Sequence, residues 1–145
     1  LVARDFVLPN GICFSPDEKT LYIIDSMGVL RDPDNFRLSV GHIKAFDVAS
    51  DGTLLNGRVF CEMRSTNPGL PDGMKVDIEG NVYCAGPGGI WILDPSGNHL
   101  GTIMTEAEQT TNCGWGMDDW QTLFISTRDA LSCISLKIPG VPAMA

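Results

Sequence analysis

Short apolar or alternating runs, each bounded by turn-forming residues, recur along the whole chain. Examples are Thr20–Asp25, His42–Asp47, Val82–Ala85 and Thr122–Ser126, with Gly, Pro, Asn or Asp between them. Alternation over a few residues, rich in β-branched and aromatic side chains, is typical of strands. No segment has the apolar spacing of an amphipathic helix. The pattern therefore predicts an all-β protein of short strands joined by turns.

One polar residue introduces a strand run at three places. Asn10 stands in Leu8-Pro9-Asn10-Gly11-Ile12, Asp72 stands in Leu70-Pro71-Asp72-Gly73-Met74, and Asn112 introduces the third run. An aromatic residue follows them by 12, 11 and 12 residues, and the three positions lie 62 and 40 residues apart. We interpret them as the same position in three repeated units. Units of about 40 residues built from short strands are typical of propeller blades.

The repeat predicts about three four-stranded blades, which form part of a β-propeller. We assign residues 1–7 to the outer strand of a preceding unit, 8–69 and 70–110 to two blades, and 111–140 to an incomplete blade. The first blade is longer because residues 27–41 form an insertion, with an exposed loop at 31–35. The loop could shape an entrance or be a tolerated insertion. Three blades cannot close a ring, so we expect open sheet faces and self-association through them.

Net charge narrows the classes of partner, and the cysteines indicate the compartment. The chain has a net charge of −8 and a pI of about 4.5, which disfavours nucleic acid and anionic membranes as partners and suits a cation. The five cysteines are odd in number and contain no Cys-x-x-Cys pair, so we expect free thiols, a reducing compartment and a cytoplasmic location. No apolar run approaches the roughly 20 residues that cross a bilayer.

The equivalent positions acquire a chemical meaning in a propeller. Blades are related by rotation about a central channel, so residues just before the inner strands lie at one mouth of it. Asn10 and Asp72 could there share one divalent cation through their oxygen atoms, with Asn112 as a further candidate ligand. Calcium, magnesium and manganese accept such ligands. The alternative is that all three are only turn residues leading into strands.

Several motifs resemble those of the gluconolactonase, regucalcin (senescence marker protein) and luciferin-regenerating-enzyme family. They are Leu8-Pro9-Asn10-Gly11-Ile12 continuing to Tyr22, Leu70-Pro71-Asp72-Gly73-Met74, the run 77–82, and Thr111-Asn112 leading to Leu123-Phe124-Ile125. The resemblance implies a six-bladed propeller of which this chain matches only the C-terminal half.

The resemblance also implies an activity and a set of site residues. It implies divalent-metal-dependent hydrolysis of a sugar lactone such as gluconolactone to the aldonic acid. It makes Asn10 a metal ligand and Asp72 both a metal ligand and the catalytic base. Calcium is the first choice for the single cation, with zinc, magnesium and manganese as alternatives. The family's third ligand, a glutamate, and its substrate-holding arginine belong to early blades and have no counterpart here.

Two functional readings remain open at this stage. In the first, the complete protein is a lactonase, and either Asp72 or a metal-bound water activates the attack. In the second, the chain is a non-catalytic propeller fragment that acts as a metal-binding or protein-interaction module. The missing glutamate favours the second reading for the isolated chain.

Overall fold

A computed structural model of the chain describes residues 1–27, 29–31, 37–39 and 41–142. Over these ranges it contains thirteen strands and no helix. The strands are β1 (Pro9–Phe14), β2 (Thr20–Asp25), β3 (Val29–Arg31), β4 (Arg37–Ser39), β5 (His42–Val48), β6 (Leu54–Glu62), β7 (Met74–Val76), β8 (Val82–Gly86), β9 (Gly89–Leu93), β10 (His99–Met104), β11 (Thr110–Gly116), β12 (Thr122–Thr127) and β13 (Leu131–Ser135).

The strands form three antiparallel sheets and one small hairpin. The first sheet has the order β1-β2-β5-β6, the second β7-β8-β9-β10, and the third β11-β12-β13. Strands β3 and β4 pair only with each other. Each sheet is an antiparallel meander with its first strand at one edge, and the β3–β4 hairpin is inserted between β2 and β5 of the first sheet. The prediction of an all-β partial propeller with about three blades is confirmed.

Packing between the sheets builds two apolar cores. The first core lies between the first and second sheets and includes Ile24, Ile43, Met74 and Leu93, all with at most 1% of their surface exposed. The second lies between the second and third sheets, around Ile90 and other side chains. The middle sheet is buried on both faces, which explains why β8 reads as a continuous apolar run. This packing sets β7 between β1 and β11, the first strands of the flanking sheets.

The expected outer strand at residues 1–7 is wrong, because this segment contains no strand. It lies instead against the outward face of the first sheet. The Phe6 and Phe46 ring centroids are 6.2 Å apart. The Asp25 carboxylate accepts hydrogen bonds from the Val7 amide at 2.9 Å and the Leu8 amide at 2.8 Å. No strand among the described residues pairs with this segment, and the buried Asp25 carboxylate satisfies the amide of its last residue, Val7, and that of Leu8 instead.

The insertion differs in part from the expectation. Its described residues form the β3–β4 hairpin, with Leu30 opposite Leu38, where we expected only an exposed loop. The predicted loop at 31–35 otherwise falls in 32–36, which lies outside the described residues. The limits of the units, 8–69, 70–110 and 111–140, stay a prediction.

The outer faces of the first and third sheets expose apolar side chains. Ile12 of β1 is 58% exposed, and Leu131 of β13 is 73% exposed. These are the faces that a neighbouring blade would cover, as the sequence predicts. Self-association through them stays a prediction. Across the described ranges, no helix has the length and apolar character needed to cross a membrane.

Candidate metal site at the start of the inner strands

Two glycines let the inner strands approach each other closely. The Gly11 amide donates to the Asp72 carbonyl oxygen at 3.0 Å, and the Gly73 amide donates to the Thr111 carbonyl oxygen at 2.8 Å. A Cβ at Gly11 would lie 2.4 Å from that Asp72 oxygen, which no side chain can tolerate. Glycine therefore follows Asn10 and Asp72 because the backbones touch there, not because a positive φ is needed.

Asn10 and Asp72 lie on one recess of about 150 Å³. The other residues around it are Leu8, Ser26, Leu70, Pro71 and Gln109. The two loops come from adjacent sheets, so the recess sits where the first two inner strands begin. The structure thus brings together the two residues that the sequence pairs most strongly.

The Asp72 carboxylate is half-buried and is available to a ligand. Its backbone is fixed on both sides, since the amide donates to the Ala85 carbonyl oxygen at 3.0 Å and the carbonyl accepts from Gly11. Within the described part of the chain, neither carboxylate oxygen has a hydrogen bond or an ion pair. A carboxylate without a partner in the protein is free to bind a cation.

The Asn10 amide is oriented by a chain of two hydrogen bonds. Its Nδ2 donates to the Ser26 Oγ at 3.2 Å, and that hydroxyl donates to the Pro71 carbonyl oxygen at 2.5 Å. A carbonyl oxygen can only accept, so the single hydroxyl proton is committed to Pro71. The Ser26 oxygen must then accept from Asn10. This leaves the amide oxygen of Asn10 for a ligand.

Asn112 does not occupy the position of Asn10 and Asp72, contrary to the sequence interpretation. Gly11 binds the carbonyl of Asp72, and Gly73 in turn binds the carbonyl of Thr111. Because the two glycines are equivalent, Thr111 is the counterpart of Asp72. Asn112 instead lies over Gly73, where a Cβ would be 2.1 Å from its Oδ1, and that oxygen accepts from its neighbour's amide, Cys113, at 2.9 Å.

Strand pairing gives the same correction. The register shift between β1 and β2 lies between Pro9 and Ile12, and that between β11 and β12 lies between Thr110 and Asn112. The irregularity of β1 covers Asn10 and Gly11, and that of β11 covers Thr111 alone, so the extra residue of the third inner strand stands before Asn112. Asn112 pairs regularly with Ser126, and it is absent from the recess. Its role as a metal ligand loses the support that the repeat gave it.

The donor atoms at the recess suit a hard cation in kind but are few in number. Among the described residues, no three His, Cys, Asp or Glu side chains converge as a metal site. The buried carboxylate of Asp77 accepts three hydrogen bonds in its own turn and is already satisfied. One carboxylate and one amide oxygen fit calcium or magnesium, which bind oxygen, whereas calcium takes about six to eight oxygens.

The neighbouring thiols are poor candidates for ligands. Burial raises the pKa of Cys13 to about 12 and that of Cys113 to about 12, although the Lys75 ammonium opposes the rise. Because a metal binds the thiolate, the raised pKa makes each of these thiols a weaker candidate ligand than an ordinary cysteine. Soft metals prefer thiolate ligands, so the described residues do not give the site the ligands that a soft metal needs.

A second hollow of about 510 Å³ adjoins the recess. The two share Leu70 and Gln109, and the hollow is also lined by Glu108 and Arg128. The Gln109 side chain fixes the loop before Asp72, because its Oε1 accepts from the Leu70 amide at 2.9 Å and its Nε2 donates to the Leu70 carbonyl oxygen at 3.0 Å. The recess thus opens beside a space lined by polar and charged groups.

Sequence reasoning missed Ser26 and Gln109. The available signal for Ser26 was weak, consisting of two polar residues, Asp25 and Ser26, directly after an apolar strand. Both prove to be 2% exposed. Gln109 gave no signal, because a glutamine beside a strand is ordinary and its loop contact spans 39 residues of sequence.

Comparisons with known proteins identify the family of the chain. The family model described as "SMP-30/Gluconolactonase/LRE-like region" matches residues 1–129. The gluconolactonase of Zymomonas mobilis is 37% identical over 141 residues, which is 97% of this chain and 38% of that protein. The regucalcin of Danio rerio is 32% identical over 124 residues, or 83% of this chain and 38% of that protein.

A solved structure, described as a putative gluconolactonase, superposes with a TM-score of 0.77 at 25% identity. It matches 98% of this chain, which in turn covers 43% of that structure. The chain thus spans well under half the length of these relatives. With the family model matching most of its residues, the chain belongs to the SMP-30/gluconolactonase/LRE-like family.

Proposed function

We propose that the complete protein containing this chain hydrolyses a sugar lactone with the help of one divalent cation, calcium in the first instance. The observation that carries the proposal is the half-buried, unpartnered carboxylate of Asp72 beside the oriented amide of Asn10. The gluconolactonase of Zymomonas mobilis, 37% identical, supports the reaction class. Gluconolactone is the substrate we would try first.

Asn10 and Asp72 would hold the cation through their side-chain oxygens. A cation held there would supply positive charge beside a carbonyl oxygen as negative charge develops on that oxygen. The reaction adds a water oxygen to the lactone carbonyl carbon, breaks the ring C–O bond, and protonates the departing ring oxygen to give the hydroxy acid. The Asp72 carboxylate can accept a proton from the attacking water, although cation binding makes it a weaker base.

The adjoining hollow would receive the rest of the sugar. Its volume of about 510 Å³ can take a hydroxylated ring, and the charged side chains of Glu108 and Arg128 line it, whereas the Gln109 amide is already bound to the Leu70 and Thr110 backbone. The Arg128 guanidinium is exposed and lies 3.8 Å from Glu108 Oε2, a weak surface pairing that a substrate can replace. Orientation by such groups can contribute several kcal/mol to catalysis.

The test is gluconolactone hydrolysis, followed by proton release above the spontaneous rate, in the gene product at its natural length. We expect chelation to remove the activity and calcium to restore it. Asp72→Ala should lower kcat at least about a hundredfold, as loss of a general base does. Asp51→Asn, in an exposed turn where an acceptor for the Thr53 amide is retained, is the control. Activity that survives both chelation and Asp72→Ala would refute the proposal.

A second candidate is a non-catalytic metal-binding or interaction module. The recess offers only two side-chain donors, and the outer sheet faces are apolar. Calcium binding without lactone turnover in the natural-length protein would favour it. Light scattering on the 145-residue chain would then show whether the open faces cause self-association.

A further inference from the structure

Ser26 connects the two loops of the candidate metal site. It follows β2 directly and is only 2% exposed. Its amide donates to the Leu8 carbonyl oxygen at 3.0 Å, and its hydroxyl bridges Asn10 and Pro71. Leu8 and Asn10 belong to the first loop, and Pro71 directly precedes Asp72 in the second. One buried serine therefore binds both loops at the residues that flank the two candidate ligands.

The hydroxyl also decides which end of the Asn10 amide faces the ligand. Without Ser26, either the nitrogen or the oxygen of that amide could point into the recess. With the Ser26 proton held by the Pro71 carbonyl, only the amide nitrogen can satisfy the Ser26 oxygen. An amide turned the other way would place two acceptor oxygens together and present N–H groups to a cation.

We infer that Ser26 is a positioning residue for the cation: its hydroxyl holds Asn10 with the amide oxygen toward the ligand and ties that loop to the one carrying Asp72. The inference rests on the proposed function for the presence of a cation. The inference gives Ser26 a role in metal binding, which does not follow from the presence of the two oxygen donors alone. Groups that orient metal ligands from behind commonly contribute ten- to a hundredfold in metal affinity.

The chain offers a matched control serine. Ser126, on β12 in the third sheet, is half-buried, and its hydroxyl lies 2.9 Å from the Thr111 hydroxyl. It thus holds the side chain of the counterpart of Asp72, yet it is not part of the recess. Its removal should cost stability like that of Ser26, without touching either donor.

The experiment is calorimetric titration of calcium into the natural-length protein, well below its unfolding temperature. We expect Ser26→Ala to weaken calcium binding by about ten- to a hundredfold. Ser26→Thr keeps the hydroxyl and should recover most of the loss, and Ser126→Ala should leave the affinity unchanged. In the double variant Ser26→Ala/Asn10→Ala, the two losses should add only in part, because Ser26 acts through Asn10 as well as through the loop of Asp72.

The outcomes separate the two ideas. If calcium binds and Asn10→Ala weakens it while Ser26→Ala does not, the positioning role is refuted and the metal site stands. The same conclusion follows if Ser26→Ala and Ser126→Ala weaken binding equally, since that indicates general loosening. If the wild-type protein binds no calcium, the proposed cation and the inference fail together. Should Ser26→Ala not fold, Ser26→Cys, which keeps a weaker donor and acceptor, should bind calcium with intermediate affinity, and wild-type affinity in that variant would refute the role.

Discussion

Asn10 and Asn112 resemble each other in sequence and differ in what their amide oxygens do. Each lies near the start of an inner strand, and each is followed 12 residues later by an aromatic residue. The Asn10 nitrogen binds Ser26 and its oxygen is left for a ligand, whereas the Asn112 oxygen binds the Cys113 amide in its own strand. Residue identity and spacing therefore do not establish that a side chain serves the site. The hydrogen-bond partners distinguish the two amides, because only the Asn10 oxygen is left without one among the described residues.

The difference originates in a shift of one residue. Thr111, not Asn112, stands at the irregularity of the third inner strand, as Asn10 does in the first. In a strand, a shift of one position moves a side chain to the other face. Two cysteines agree with this shift. Counted from Asn10 and Asn112, Cys13 and Cys113 lie three residues and one residue further on, so without the shift their side chains would point the same way around the propeller. Instead, Cys13 packs toward the following sheet, in the first core, and Cys113 packs toward the preceding sheet, in the second core.

The largest expected effect is on the pH dependence of stability, and it comes from the thiols of Cys13 and Cys113. In this property the first and third units are alike. Burial raises the pKa of each to about 12, against an ordinary value of 9.0. A raised folded-state pKa contributes stability that is complete below pH 9 and is lost between pH 9 and 12. Each thiol should lower the free energy of unfolding by up to about 1.4 kcal/mol per pH unit in that window.

Denaturant unfolding at several pH values above 8 measures this slope. Cys113→Ala should flatten it, and the exposed Cys133 provides the control, since Cys133→Ala should not. Rapid alkylation of Cys113 at the rate of Cys133 in the folded protein would contradict the burial on which the prediction depends.

The next largest effect is the loss of stability when Gly11 or Gly73 is replaced by alanine. A Cβ at Gly11 meets the Asp72 carbonyl oxygen at 2.4 Å, which is backbone, whereas a Cβ at Gly73 meets the Asn112 Oδ1 at 2.1 Å, which is a side chain. Either alanine should lower the free energy of unfolding by about 1–3 kcal/mol. Adding Asn112→Ala should recover part of the loss for Gly73→Ala and none for Gly11→Ala.

Thermal or denaturant unfolding of the single and double variants provides the comparison. Gly101→Ala is the control, because nothing lies within 4 Å of a Cβ there. Equal recovery of both alanine variants by Asn112→Ala would show that the contact over Gly73 has been misassigned.

The sequence predicts most of the fold because strand periodicity and turns are local signals. Strand β2 was expected at its observed limits, Thr20–Asp25, and the three sheets follow the three repeats. The prediction of a strand at residues 1–7 was wrong because it rested on their apolar side chains alone. A strand also needs the edge of another strand to pair with. The hydrogen bonds to the Asp25 carboxylate join residues 17 or more positions apart, and no local pattern reveals them.

The candidate site was predictable in part for a related reason. The tripeptides Pro-Asn-Gly and Pro-Asp-Gly are typical of rigid turns. Asn10 and Asp72 could therefore be recognised from the sequence as two ligands of the same candidate site. The one-residue irregularity before Asn112 could not be read, because both Thr111 and Asn112 are acceptable at such a position. Ser26 could not be assigned either, because its link to Pro71 crosses between sheets and spans 45 residues.

A smaller effect tests the two asparagines directly. Asn10→Ala removes one of two side-chain oxygen donors and should raise the calcium dissociation constant about tenfold, which corresponds to about 1.4 kcal/mol. Asn112→Ala should leave the constant unchanged, because that oxygen is held by the Cys113 amide outside the recess. Calorimetric titration of both variants decides. Equal weakening would restore Asn112 as a ligand and undo the comparison.

The smallest effect concerns Thr111, the counterpart of Asp72 in the third unit. Its hydroxyl lies 3.1 Å from the Ser126 carbonyl oxygen and 2.9 Å from the Ser126 hydroxyl. Thr111→Val keeps the shape and removes these bonds, so it should lower the free energy of unfolding by about 0.5–1.5 kcal/mol. Calcium affinity should not change, because the hydroxyl already serves its neighbour. A position equivalent to Asp72 could instead contribute an oxygen to the cation, and then Thr111→Val would weaken calcium binding as Asn10→Ala does. Measuring unfolding and calcium binding on the same variant separates the two, and a loss of affinity would mean that the third unit takes part in the site through Thr111.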